Sequence, residues 1–215
     1  MGRRTMAWML AFALVLSMLP LRVLAVEQTH SGDAHKCEHC QTTVTWEAWG
    51  DTDQEKETLP KGTAGKTTHY YLVSDVTVTG RTEMTDKSHV VICLNGHTVD
   101  GGAKDTIYRL GGTAKLTIGD CTAYTDELGE YHAGTIRNGR NTGGVGGAFY
   151  VYGDAQLTMH GGIVAENHNT TTDVKESNDG YSGGAIHARG NGRVVLNNVL
   201  LRDISSSTLS RWKTN

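Results

Sequence analysis

The sequence predicts an all-β chain, a parallel β-helix of about four coils preceded by a small capping segment that carries Cys, His and Trp. Three observations predict it. The first is a repeat: Gly147-Ala148-Phe149-Tyr150-Val151-Tyr152-Gly153-Asp154-Ala155-Gln156-Leu157-Thr158-Met159 returns without a gap at Gly184 to Leu196, an offset of 37 residues (147 to 184). An earlier copy, Tyr108-Arg109-Leu110 to Leu116-Thr117-Ile118, precedes Phe149–Met159 by 41 residues (108 to 149). The second is alternation. Leu116, Leu157 and Val194 share one column and Ile118, Met159 and Leu196 the next, with Thr117, Thr158 and Val195 facing outward between them, as the two-residue period of a strand requires. The third is punctuation: 27 Gly and only 2 Pro suit sharp corners between short strands rather than a disordered Pro-rich linker.

Taken in order, the chain begins with Arg3-Arg4, an apolar run from Met6 to Leu19, and the small-residue site Val23-Leu24-Ala25, which together read as a secretory signal peptide over residues 1–25. The run is too short for a membrane span, so no span is expected after cleavage. General secretion suits these flanks better than twin-arginine export, and the expected location is secreted or cell-surface. Residues 26–66 form the capping segment, since some forty residues without a staple rarely hold a core of their own. The β-helix is expected over 67–204. Its first coil is read from Tyr70-Tyr71-Leu72-Val73, Val76-Thr77-Val78-Thr79 and Val90-Val91-Ile92-Cys93-Leu94. Thr122–Ala133 and His168–Ser182 are polar and read as loops bulging from the stack. Residues 205–215 lack Gly corners and alternation, and read as an irregular tail, as at the end of a fragment.

Chemistry is sparse. Cys37 and Cys40, at Cys-x-x-Cys spacing beside His35 and His39, offer a tetrahedral zinc site, a local disulfide or a pair of unligated thiols. Cys93 and Cys121 either pair or fill core positions. A glycoside hydrolase needs two carboxyl groups across a cleft. Asp100, Asp105, Asp120, Asp154, Asp173, Asp179 and Asp203 fall at unrelated points of the repeat, where a turn Asp serves its own backbone. The Asp173, Glu176, Asp179 cluster reads as a solvated loop, and His97 and His187 as structural or exposed histidines. A net charge of −3 argues against a nucleic-acid surface, and no phosphate-cradling loop is present. Asn169-Thr170-Thr171 matches the N-glycosylation pattern. Outward Tyr150, Tyr152, His187 and Arg189 are the candidate ligand contacts, because aromatic rings on a rigid sheet stack on sugar rings.

Val91-Ile92-Cys93-Leu94-Asn95-Gly96-His97-Thr98-Val99, Ala114-Lys115-Leu116-Thr117-Ile118-Gly119-Asp120-Cys121, and Gly146-Gly147-Ala148 through Gly161-Gly162-Ile163-Val164-Ala165-Glu166-Asn167 resemble secreted, pectin-lyase-like right-handed β-helix surface proteins of anaerobic Gram-positive bacteria. The upstream Cys-x-x-Cys, Trp46-Glu47-Ala48-Trp49, Leu59-Pro60 and Tyr70-Tyr71-Leu72 are similar too, so the resemblance runs from about Cys37 to Asn198. It implies a binding, adhesin-like or spacer role, with extracellular polysaccharide or a cell-surface glycan as partner. The competing expectation is a fragment of a carbohydrate-active enzyme, a polysaccharide lyase or glycoside hydrolase, although no catalytic signature is found and no cofactor is implied beyond zinc at the Cys/His cluster. The family pattern ends a coil with Gly-Asn; Asn167 keeps it, whereas Ile204 stands 37 residues later (167 to 204), which marks the last coil as the weakest match.

Overall fold

A computed structural model of the chain describes residues 44–84, 86–143, 145–170 and 183–206. The chain enters with β1 (Glu47–Trp49), makes one helical turn, α1 (Asp53–Lys56), and starts winding with β2 (Thr67–Leu72) and β3 (Val76–Thr77). The next coil is β4 (Thr82–Met84), β5 (His89–Cys93) and β6 (Thr98–Asp100). After it come β7 (Tyr108–Leu110), β8 (Lys115–Gly119), a hairpin of β9 (Tyr124–Thr125) and β10 (Tyr131–His132), then β11 (Thr135–Arg137) and β12 (Arg140–Asn141). The following coil is β13 (Phe149–Val151), β14 (Gln156–His160), β15 (Ile163–Ala165) and β16 (His168–Asn169). The last described coil is β17 (Ile186–Ala188), β18 (Arg193–Asn197), β19 (Leu200–Arg202) and β20 (Ser205–Ser206).

Strands of successive coils pair in parallel, and so the chain winds as a β-helix. The first sheet runs β1-β2-β5-β8-β14-β18, the second β3-β6-β11-β15-β19, the third β4-β7-β13-β17, and a short ladder joins β12, β16 and β20. Leu116, Leu157 and Val194 are register partners, as are Ile118, Met159 and Leu196, so the repeat offsets read from the sequence are the pairing offsets of the fold. Val90 and Ile92 extend the same two columns one rung earlier.

Three readings are corrected. The first sheet has six strands, and the stretch Tyr70–Leu94, read as a single coil, holds two rungs, since Thr67 pairs with His89 at a separation of only 22 residues. A coil without excursions is that short, and the longer offsets were the wrong ruler for it. His168 and Asn169 belong to β16, not to a loop, and pair with Arg140 and Asn141. Three of the corners after the second sheet are turned without glycine, Asn138, Glu166 and Asp203 taking φ of 58°, 53° and 51°. The last coil keeps its register despite Ile204, which packs against the core where Asn167 would be repeated.

The core is a filled tube of Leu, Ile, Val, Met and Ala, with Tyr108 and Phe149 stacked inside it at 6.4 Å. Burial pushes the Tyr108 phenol well above its ordinary pKa, and its hydroxyl donates to the Pro60 carbonyl at 2.9 Å. Leu59 joins the core, so the segment before β2 packs against the tube. Buried Asn167 accepts from the Gly139 amide (2.8 Å) and donates to the Ile136 and Ala165 carbonyls (3.0 and 2.7 Å), which satisfies a corner that water cannot reach. Beside it the coils approach so closely that a Cβ on Gly147 would stand 2.6 Å from the Gly139 carbonyl oxygen.

Burial falls off along each column toward the last rung. Met159 is fully buried, whereas its register partner Leu196 is 37% exposed. Removing the same kind of side chain from one column should therefore have unequal costs. Met159→Ala is expected to lose about 2–5 kcal/mol of unfolding free energy, and its column partner Leu196→Ala about 1 kcal/mol, measured by urea unfolding followed by far-ultraviolet circular dichroism. Equal losses would show that the last rung is as well packed as the one before it.

Candidate functional site

On the third sheet the middle residue of β4, β7 and β13 faces outward while its neighbours are buried, and His187 holds the same position in β17. Glu83, Arg109, Tyr150 and His187 are thereby stacked as register partners across four coils. Their side chains meet. Arg109 donates from Nη1 to Glu83 Oε1 at 3.3 Å, and its Cζ lies 5.7 Å from the centre of the Tyr150 ring and 5.0 Å from that of Tyr152. The two tyrosines stack at 5.0 Å with 24° between planes, and His187 sits 5.3 Å from Tyr150. These spacings follow the strand repeat of about 4.8 Å, which brings identical positions of adjacent coils into side-chain contact.

Two further features fix the stripe. Val151 points inward between Tyr150 and Tyr152, and Tyr152 lies over Gly111, where a Cβ would stand 2.5 Å from the phenol Cζ. Arg81 holds the far end, with Nη2 2.9 Å from Glu83 and Nη1 3.4 Å from Asp105. Arg189 is exposed beyond His187, its backbone amide bound to the Val151 carbonyl. Tyr150, Tyr152 and His187, three of the four contacts named from the sequence, thus meet on one face, and Arg189 follows two residues after His187. Sequence reasoning missed Arg109, Glu83 and Arg81, although Arg109 occupies the Tyr150 column of the repeat and was legible there.

The loop Thr122–Ala133 forms a second feature. Its neck is held by buried Asp120, whose carboxylate accepts from the amides of Gly96 (3.2 Å), Thr122 (2.9 Å) and Gly134 and from the Thr122 hydroxyl (2.7 Å). Its tip is the β9–β10 hairpin, where Tyr124 stacks on His132 at 4.8 Å. The Tyr131 hydroxyl donates to the Asn198 carbonyl (3.0 Å) and accepts from the Gly162 amide (3.2 Å), anchoring the hairpin to the later coils. Between hairpin and second sheet is an open groove of about 670 Å³ lined by Thr122, Tyr131, His132, Ile163 and Arg202 among others.

The remaining candidates are placed as follows. Cys37, Cys40, His35 and His39 lie outside the described residues, as do Asp173, Glu176 and Asp179. The Cys93 and Cys121 sulfurs approach to 3.3 Å. Cys93, Asp120 and Cys121 present donor atoms within 4.8 Å of one another, and so do Asp126, Glu130 and His132, so these are the described groups with the donors to hold a metal ion. His97 stands 3.4 Å from Asp75 at a surface turn. Asp100 and Asp105 serve the nearby amides of Gly102 and Thr106. Asn169 is 1% exposed and paired with Asn141 inside the short ladder, which denies its amide to a glycosylating enzyme in the folded chain.

No family model matches the chain, and no curated protein or solved structure matches it either. Its parallel β-solenoid architecture rests on its own strand pairing. Among the described residues no helix is long and apolar enough to cross a membrane.

The Asp126 carboxyl is held below its ordinary value of 3.8, first by the hydrogen bond from His132 (2.9 Å) and then by the Glu130 and Leu128 amides. A depressed carboxyl binds fewer protons folded than unfolded. Its contribution to the hairpin is present above pH 3.8 and is lost as pH falls through the lower folded value. Titration of the Asp126 side chain by carbon-detected NMR should give a midpoint below 3.8, moving upward in His132→Ala. An unmoved midpoint would show that the backbone amides alone set it.

Proposed function

We propose that this chain is a secreted or cell-surface β-helix module that binds carbohydrate through the outward face of its third sheet. The observation that carries this reading is the stripe of Arg109, Tyr150, Tyr152 and His187, in which two tyrosines, an imidazole and a guanidinium are prepacked on a rigid sheet. Aromatic faces cover the C–H faces of a pyranose, and guanidinium and imidazole nitrogens donate to its hydroxyl or carboxylate oxygens. Little ordering entropy is lost on binding, because the side chains already hold one another in place.

Support for the extracellular setting comes from the signal-peptide pattern of residues 1–25, and from the resemblance to pectin-lyase-like β-helix surface proteins of anaerobic Gram-positive bacteria. The winding of the chain fits that family's architecture. A role as binder suits the stripe better than catalysis, since the carboxylates nearest to it, Glu83 and Asp105, are both engaged by Arg81.

Binding to a panel of neutral and uronate-containing polysaccharides, measured by isothermal calorimetry and glycan array, tests the reading. At least one glycan should bind, and Tyr152→Ala and Arg109→Ala should each weaken it by about tenfold, equivalent to 1.4 kcal/mol. Tyr124→Ala on the hairpin should leave affinity unchanged. Loss at Tyr124 alone moves the site to the hairpin groove, sugar release from any polysaccharide makes the chain an enzyme, and silence across the panel leaves a structural spacer.

A further inference from the structure

The last described coil presents an apolar end. Leu196 and Leu201 continue inward columns there, yet they are 37% and 44% exposed, whereas their register partners Met159 and Val164 are fully buried. Ile186, Val194 and Ile204 pack against the core and are only partly buried. Among the described residues β18 is also the last strand of the first sheet, so one of its edges carries unpaired backbone groups. Which groups these are follows from its bonds to β14. The Arg193 amide donates to the Ala155 carbonyl and the Asn197 carbonyl accepts from the Gly161 amide, both at 2.9 Å. Alternate residues of a parallel strand serve the same neighbour, so Arg193, Val195 and Asn197 bond to β14 while the amides and carbonyls of Val194 and Leu196 point off the end of the stack.

This edge is complementary to itself. When two β18 strands lie antiparallel about a two-fold axis at Val195, Val194 of one copy stands opposite Leu196 of the other. Directly opposed residues of an antiparallel pair exchange both hydrogen bonds at every second position, so the amides and carbonyls left free on Val194 and Leu196 are all used. Parity is kept as well. Inward Val194 meets inward Leu196, which joins the two cores, and outward Arg193 meets Asn197, so no like charges are opposed. The opposite end of the stack offers no matching surface. Leu72 of β2 and Val76 of β3 are fully buried, and Trp49 on β1 is held by its own chain, its Nε1 donating to the Glu55 and Thr58 carbonyls at 3.2 and 3.0 Å. Head-to-tail stacking, which would build an open filament, therefore lacks its second surface.

We propose that the exposed end of the last coil is the docking surface for a second copy of this chain, the two β18 strands pairing antiparallel about Val195 in a closed two-fold dimer. The ladder of the first sheet then runs without a break from one copy into the other, and Leu196 and Leu201 are covered.

Analytical ultracentrifugation of the full chain tests this, and a species of twice the monomer mass is expected. Val194→Pro removes an amide that faces away from β14, a position at which an edge strand tolerates proline. Leu196→Lys sets a charge on the same end. Both variants should sediment as monomers and keep the far-ultraviolet circular dichroism of the β-helix, whereas Leu128→Lys, at a leucine 90% exposed on the hairpin, should stay dimeric. Val195→Cys should give a disulfide-linked dimer on a non-reducing gel, because Cα atoms of the central pair would stand about 4.5 Å apart, within the disulfide range of about 4.4–6.8 Å. Its register partner one rung inside, Thr158→Cys, should not. A chain that is monomeric at every concentration overturns the proposal, and so do oligomers that grow beyond two copies. A dimer that survives both Val194→Pro and Leu196→Lys, or that Val195→Cys fails to cross-link, overturns it too.

Discussion

Every coil of this protein depends on in-register parallel pairing with the coil before and after it. A three-residue strand such as Phe149–Val151 has too few hydrogen bonds and too little apolar surface to persist alone. Set between Tyr108–Leu110 and Ile186–Ala188, it has partners on both edges, and Phe149 and Val151 lose all contact with water. Register is the controlling variable, because a slip of one residue would turn the whole inward column outward. Corners such as Asn167 and Asp120 defend it: each uses a buried side chain to bind backbone groups of a neighbouring coil.

The same constraint builds the outer surface. Once inward positions are fixed, the residues between them are stacked whether or not they contribute to stability, and side chains distant in sequence become contacts at the strand spacing. Glu83, Arg109, Tyr150 and His187 meet for this reason, and Cys93 meets Cys121 because Gly119 leaves room beside the shared rung. The helix is thus a device for bringing one residue per coil into a line, a geometry suited to an extended ligand with its own repeat.

Columns Leu116/Leu157/Val194 and Ile118/Met159/Leu196 were legible in the sequence residue by residue, because a gapless repeat carries its register with it. The earliest coils were not, since β2 and β5 follow a shorter repeat and share little side-chain identity with the later copies. Tyr150, Tyr152, His187 and Arg189 were legible as outward residues for the same reason that the columns were. Their partners Glu83 and Arg81 lie a further coil back, where the repeat is too diverged to align by eye. The hairpin was hidden differently: Asp126, His132 and Tyr124 are joined by local turn chemistry and by anchors to Gly162 and Asn198, contacts that no periodicity announces.

That contrast separates two kinds of site on one scaffold. A residue in the stripe cannot move without its rung, and its rung cannot move without breaking hydrogen bonds to two neighbours, so Arg109 and Tyr150 are held to the stiffness of the sheet. The hairpin adds residues at a corner, where insertion costs only loop-closure entropy that grows slowly with length. Its orientation is then set by a few side chains: Asp120 gathers both ends of the neck, and Tyr131 ties the tip. Loss of Asp120 would leave the amides of Gly96, Thr122 and Gly134 without their shared acceptor while the inward columns stayed filled. The stripe is therefore governed by the core and the groove by one buried carboxylate, so each can change without the other.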